Sequence, residues 1–241
     1  MIFKNRYNMT LEQNIFWAKR NIVDYIYKSA KLEGLNVTYP ETYAIYEEAR
    51  LKDLDVRTVN VIINLKHAWQ ELFFNINEEL NIDCIKKIHR EVARGEALVW
   101  GSFRTGKVGI SGTDYKPPIP EEKSVKNELE QLLRIENHTE RAISVMLWGM
   151  RSQLFWDGNK RTSMLIANKI MIENGCGIIS ILPEDLKEFG SLLSEYYTTN
   201  QDKKIKQFIY EKCIDGLDFP KDTETETDIE IENKPKIKRR R

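Results

Sequence analysis

Cysteine is scarce in this sequence. Its 241 residues include only Cys84, Cys176 and Cys213, widely spaced and with no C-x-x-C pair. That disfavours a disulfide framework and a structural zinc site, and a reducing cytoplasm is the expected compartment. Proline and glycine are also sparse, 7 and 12 residues, which argues against a low-complexity chain and mildly against an all-β one. No apolar run approaches the ~18 residues of a membrane-crossing helix, and the first residues are not followed by a signal-peptide core, so no membrane partner is expected. Net charge is missing too. Lys plus Arg number 37 and Asp plus Glu number 37, so bulk electrostatics gives no reason to expect a nucleic-acid partner. What remains, 41% hydrophobic and 31% charged residues, is a composition that can bury a core.

The body of the chain reads as a succession of helices. Leu11, Ile15, Ala18, Ile22 and Ile26 fall three or four apart, one face of an amphipathic helix, with Thr10 and Gln13 as a capping box and Gly34 as its close. Further helices are predicted after Pro40 and over 57–77, 82–94, 121–133, 140–153, 161–173, 183–197 and 203–214. Pro183 suits a first helical turn. The run 103–118, FRTGKVGISGTDYKPP, breaks this pattern with three glycines, alternating Val108 and Ile110, and a closing Pro117-Pro118. It predicts a short β-hairpin leaning on the helices. The fold class is therefore all-α with one hairpin. After Gly216 the composition changes: six acids and no base over 222–232, then six bases and no acid over 234–241. So little apolar content cannot offset ordering entropy, and the sequence divides into a domain, 1–216, and a disordered acidic-then-basic tail, 217–241.

The most informative run is Phe155-Trp156-Asp157-Gly158-Asn159-Lys160-Arg161, between two predicted helices. Gly158 and Asn159 form a tight turn leading into a helix N-terminus, where backbone N–H groups and the macrodipole favour an anion. Lys160 and Arg161 add two cations at the same place, and Asp157 can hold a hard cation such as Mg2+. A phosphate-plus-metal cradle competes here with an ordinary capped loop whose charges are solvated.

From Phe155 to Arg161 this run resembles the signature of the Fic/Doc (Fido) family, H-x-F-x-[DE]-[GA]-N-[GK]-R. Upstream, the segment 81–89 resembles the family's helix before the flap. Gly101-Ser102-Phe103-Arg104, Val108-Gly109-Ile110 and Tyr115-Lys116-Pro117-Pro118 resemble the flap hairpin itself. The resemblance spans about residues 10–215 and implies a Fic-type helical bundle. It further implies transfer of AMP from ATP, or of another phosphate-containing group, to a hydroxyl side chain of a target protein, with Mg2+ as cofactor. By the same resemblance Phe155 anchors the loop, Asp157 ligates Mg2+, and Gly158, Asn159, Lys160 and Arg161 bind the nucleotide. The flap residues Val108, Gly109, Ile110, Ser111 and Gly112 dock the target as an added strand. Lys160 stands where most adenylylating members carry glycine and is similar to the Doc branch, in which the γ-phosphate is transferred.

Two departures qualify the carry-over. The family's general base opens the signature as His, and Gln153 stands there. An amide orients a hydroxyl but cannot take its proton, which costs about 10²–10⁴-fold in rate. The expected outcomes are a weak transferase, with Gln153 and Arg161 at the reacting centre, or an inactive Fic-fold module that binds a nucleotide or an extended peptide. None of His67, His89 and His138 obviously replaces the base: His67 and His89 are read as structural, and His138 as a residue at a helix start. The second departure concerns regulation. Ser29, Glu33 and Gly34 fit [ST]-x-x-x-[ED]-[GN], the inhibitory-helix pattern of some family members, over residues 29–34. The arginine that usually pairs with this Glu falls at Met164, which leaves Lys160 or Arg161 as substitutes and an exposed helix end as the competing reading.

Overall fold

The computed structural model describes residues 3–49 and 54–219. Ten helices dominate it: α1 (Leu11–Arg20), α2 (Ile22–Leu32), α3 (Tyr39–Tyr46), α4 (Val56–Phe74), α5 (Ile82–Val92), α6 (Glu122–Leu133), α7 (His138–Ser152), α8 (Asn159–Glu173), α9 (Leu186–Thr199) and α10 (Lys203–Lys212). The expected capping box forms at Thr10, whose Oγ1 accepts the Gln13 N–H while the Gln13 side chain accepts the Thr10 N–H. A second box, Thr38 with Glu41, starts α3. The single helix expected over 11–34 is instead two, α1 and α2, because the Asn21 side chain donates to the Trp17 carbonyl and ends α1. Pro183 opens a short 3-10 turn, Pro183–Asp185, that runs into α9.

Helix α8 is the axis of the molecule. Every residue from Arg161 to Ile172 is buried, which is why the segment lacks an amphipathic stripe: it is covered on all sides, chiefly by α7, α5, α4 and α1. Even Lys169 is fully buried. Its ammonium donates to the Asn75 and Ile76 carbonyls just past the end of α4 and pairs with Glu173 at 2.7 Å, so the buried charge is satisfied.

The two-stranded sheet is not where the sequence suggests. Its strands are β1 (Ile178–Ile179) and β2 (Ile214–Asp215), antiparallel, with Ile179 opposite Ile214. The segment 103–118 runs extended, with a turn at Ser111 and Gly112 but without a ladder of its own. Its polar backbone is held by side chains instead, as described below. β2 also stitches the chain's first helices to its last elements. Asp215 accepts from the Tyr25 hydroxyl at 2.6 Å and from the Trp17 indole at 3.3 Å. Arg6 donates to the carbonyls of Tyr210 and Glu211, and Asn14 exchanges two hydrogen bonds with the Gly177 backbone.

All three cysteines are free and buried, and none of the described helices is long and apolar enough to cross a membrane. The tail expected over 217–241 lies outside the described residues from 220 onward; residues 217–219 carry no regular secondary structure.

Candidate functional site

The loop between α7 and α8 is built by its own side chains. Gln153 ends α7 in the left-handed conformation (φ 46°, ψ 57°). Asn159, the first residue of α8, reaches back: its Oδ1 accepts the Phe155 N–H, and its Nδ2 donates to the Phe155 carbonyl and the Gln153 side-chain oxygen. Gly158 sits at φ 72° as the N-cap, and a Cβ there would lie 3.1 Å from Val92 of α5. The turn therefore demands glycine both for its conformation and for its closeness to α5.

His89 of α5 braces this loop from below. Its ring stacks on Phe155 with centroids 3.6 Å apart and planes 8° from parallel. Nδ1 accepts the Gly101 N–H and Nε2 donates to the Asp157 carbonyl, so the imidazole is neutral with its proton on Nε2. Burial, reinforced by the nearby Arg161, pushes its pKa down to about 4. Its structural reading fits this geometry. Phe155, expected to anchor the loop, has its ring buried between His89 and Phe103.

Arg161 is 1% exposed and surrounded by three carboxylates. Nη1 donates to both oxygens of Glu96, at 3.1 and 3.2 Å, and to the Val92 carbonyl. Nε lies 3.7 Å from Glu33, and Nη2 lies 3.7 Å from Asp157. These longer separations exceed hydrogen-bond reach, and Nε, Nη2 and the Glu33 oxygen are buried with no hydrogen-bond partner. No side chain caps the N-terminus of α8. A buried guanidinium with two unpartnered N–H sites thus stands at an open helix N-terminus, an arrangement that suits an anion. The Asp157 carboxylate accepts the Gly158 N–H and is about half exposed, which leaves it able to ligate a cation from the solvent side. Among the described residues no group of three or more His, Cys, Asp or Glu is arranged to hold a metal. Mg2+ commonly rests on one or two carboxylates plus waters and phosphate oxygens, so the donor set fits that ion only together with a phosphate ligand.

The segment 29–34 does reach the site. Glu33 caps the end of α2 with its side chain largely buried, 3.8 Å from the Lys160 ammonium and 3.7 Å from Arg161. Lys160 also donates to the Leu32 carbonyl at 3.3 Å, so it serves the C-terminus of α2 as well as the carboxylate. Ser29 is buried one turn earlier, its carbonyl accepting the Glu33 N–H, and Gly34 follows at φ 76°. Met164 is buried and offers no charge.

The flap residues 108–112 occupy the extended segment. Val108 and Ile110 are half-buried, while Gly109, Ser111 and Gly112 are exposed. The turn rests on α9, where Ser194 donates to the Gly112 carbonyl and Thr113 bonds Thr198. The base of the segment is held by Arg104, which is 1% exposed. Its backbone N–H donates to the Leu154 carbonyl, and its guanidinium donates to the carbonyls of Gln153, Gly106, Pro117 and Pro118. Burial lowers its pKa. Beside it, a cavity of ≈ 380 Å³ lies between the end of this segment and α6, α7 and α9. Ser152 and Leu154, which flank Gln153, form part of its wall, and Tyr115 stacks on Arg151 at 3.7 Å along it.

Gln153 is engaged at both ends of its side chain. Nε2 donates to the Met150 carbonyl at 2.7 Å and the oxygen accepts from Asn159. His67 and His138 lie outside the residues that bond the loop. Sequence reasoning left out Arg104 as a brace, Glu96 as the partner of Arg161, and Asn64, whose Nδ2 donates to Glu96 at 2.9 Å and to the Arg94 carbonyl. Only Arg104 left a trace in the sequence, as a cation set beside Phe103 in an otherwise turn-like run.

Residues 79–171 match the family model described as the Fic/DOC family. The chain is 27% identical over 188 residues to the protein adenylyltransferase Fic of Nematostella vectensis, covering 73% of this chain and 44% of that protein. It is 26% identical over 189 residues to protein adenylyltransferase fic-1 of Caenorhabditis elegans, covering 73% and 35% respectively. The chain thus spans less than half the length of these curated relatives. Among solved structures, C. elegans Fic-1 superposes with a TM-score of 0.69 at 23% identity, covering 80% of this chain and 62% of the other. A Fic domain containing signaling protein from Bacteroides thetaiotaomicron gives 0.68 at 17%, covering 83% and 84%. These last two likenesses concern the fold.

Proposed function

We propose, from the match of residues 79–171 to the Fic/DOC family, that the chain binds a nucleoside triphosphate with Mg2+ where the α7–α8 loop meets α8, and transfers AMP or another phosphate-containing group, weakly, to a protein hydroxyl. The observation that carries this reading is the buried Arg161 with Nε and Nη2 unpartnered at the uncapped N-terminus of α8. ATP fits the names of the relatives, which are protein adenylyltransferases. Asp157, half exposed beside Arg161, would hold Mg2+, which would neutralise phosphate charge. Gly158 and Asn159 would shape the cradle, and Phe155 would keep it rigid. The flap backbone over 108–112, which has no ladder of its own, would take an extended target segment by strand addition. Three buried free thiols suit a cytoplasmic setting.

Positioning and charge stabilisation can sustain phosphoryl-type transfer without a base, so the role left to Gln153 is orientation. Glu33, beside Lys160 and Arg161, would obstruct the outer part of the cradle. A second reading, an inactive binding module, draws on a specific observation: the Gln153 amide is spent on Met150 and Asn159 rather than directed at a reacting hydroxyl.

Calorimetry with Mg2+ and ATP tests the first step. The chain should bind, and Asp157→Ala should weaken binding with no change in melting temperature; absence of binding by the intact chain would remove the reading. Label transfer from α- or γ-labelled ATP separates the two outcomes. Slow transfer that rises in Gln153→His by part of the ~10²–10⁴-fold a base supplies supports the transferase. A Gln153→His protein that binds yet stays inert gives precedence to the module.

A further inference from the structure

We infer that Glu96, held in turn by Asn64, is the positioning residue that sets the working edge of Arg161. The inference rests on the nucleotide reading above and deepens it. A guanidinium can grip an anion through either of two forked edges, and a long side chain left to itself samples several rotamers. Here one nitrogen, Nη1, is fully committed to the two Glu96 oxygens and the Val92 carbonyl. That commitment leaves the Nε–Nη2 edge as the only one available, and both of its N–H groups are buried without a partner. Nη2 lies against the Gly158 turn, so this edge faces the loop where the anion is proposed to sit.

Glu96 is itself held in place. The left-handed Gly95 turns the chain at the end of α5, the Glu96 N–H bonds the Ala93 carbonyl, and the carboxylate is 8% exposed. Asn64, buried on α4, donates from one amide to the Glu96 carboxylate and to the Arg94 carbonyl. A chain of contacts therefore runs from α4 through Glu96 to Arg161 on α8. Glu33 and Asp157 also flank the guanidinium but stand 3.7 Å away, so neither fixes its orientation. Glu96 touches no phosphate in this scheme. It acts through Arg161.

The test uses the full chain and three variants. Glu96→Asp keeps the charge but withdraws it by one methylene; Glu96→Gln keeps the reach and one acceptor; Asn64→Ala removes the support. Calorimetry with ATP and Mg2+, and with tripolyphosphate alone, should show Glu96→Asp about 10-fold weaker, Glu96→Gln within about 3-fold of wild type, and Asn64→Ala in between. The Arg161 side-chain Nε–H resonance, followed by NMR, should be distinct and slowly exchanging in the wild type and Glu96→Gln, and averaged in Glu96→Asp. A Glu96→Asp protein with wild-type affinity and an unchanged Arg161 resonance would overturn the inference. Stronger binding in Glu96→Gln than in wild type would also overturn it, since Glu96 would then be competing for Arg161 rather than aiming it. If the wild type binds neither ligand, the nucleotide reading fails while the resonance still decides whether Glu96 fixes Arg161. Should Glu96→Asp not fold, Asn64→Ala with the same two readouts decides.

Discussion

Two loops meet at the site, and they are held in opposite ways. The α7–α8 loop is short and internally bonded, with Asn159 closing on both polar groups of the Phe155 backbone and His89 stacked beneath. The 103–118 segment is long and has no ladder. It is pinned at its base by Arg104 and at its tip by Ser194 and Thr198, with Gly109 and Ser111 exposed between. A rigid frame suits charges that must be placed to within a fraction of an ångström. A strip fastened at two points keeps backbone groups available for another chain. One residue joins the two: Arg104 bonds the Gln153 carbonyl of the first loop and three residues of the second, Gly106, Pro117 and Pro118, through a single buried guanidinium.

That contrast can be broken most forcefully at Arg104. Arg104→Met removes several charge-assisted hydrogen bonds and strands the carbonyls that accepted them, a loss of about 4 kcal/mol. The melting temperature should fall by roughly 10 °C, and limited proteolysis should cut first within 105–116. An unchanged melting temperature would mean that the segment is held by something other than this side chain.

The rigid loop should in turn betray itself through pH. His89 is neutral in the folded protein with a pKa near 4, against an unfolded value of 6.5, and the charges facing it are Arg161 and Asp157. Its stabilising contribution is complete above pH 6.5, where neither state binds the extra proton. As pH falls below 6.5 the unfolded chain takes up a proton that the folded chain refuses until about pH 4, so stability declines across that window. The decline attributable to this group is about 3 kcal/mol. Chemical denaturation at pH 7, 5.5 and 4.5 should show it in the wild type and not in His89→Gln, which will be less stable at every pH. Parallel pH curves for the two proteins would discard the assignment.

The smallest effect sets one glycine of each loop against the other. Gly158 and Gly112 both have positive φ, 72° and 83°. Alanine at either strains the backbone by about 1 kcal/mol. At Gly158 the new methyl also meets Val92 at 3.1 Å, whereas at Gly112 the nearest atom is the Ser194 hydroxyl at 3.8 Å. Gly158→Ala should therefore cost about 2 kcal/mol and Gly112→Ala about 1. Equal losses would show that the first loop is less tightly framed than its geometry implies.

Much of this was legible in the sequence because it is local. The capping box at Thr10, the tight turn at Gly158 and the helical periodicity all depend on residues within four positions of one another. The hairpin reading of 103–118 failed in its pairing because alternation and glycines describe an extended, turning backbone without saying what satisfies it. The bonds that hold it come from Arg104 and α9, up to 85 residues away. Glu96 and Asn64 were invisible for the same reason. A glutamate after a glycine and an asparagine inside a helix carry no mark until the fold sets them beside Arg161. Glu33 was found through its pattern, but its neighbours Lys160 and Arg161 could only be offered as alternatives, and the structure places it near both.

The stitching of the first helices to the last strand has a consequence for the order in which the molecule matures during synthesis. Tyr25 and Trp17 wait for Asp215, so these two bonds of α1 and α2 cannot close until almost the whole described chain has left the ribosome. The α7–α8 hairpin, whose bonds span only a few residues, emerges earlier and can close without them. A nascent chain therefore closes the α7–α8 loop before β2 ties down the helix that carries Glu33 beside Lys160 and Arg161.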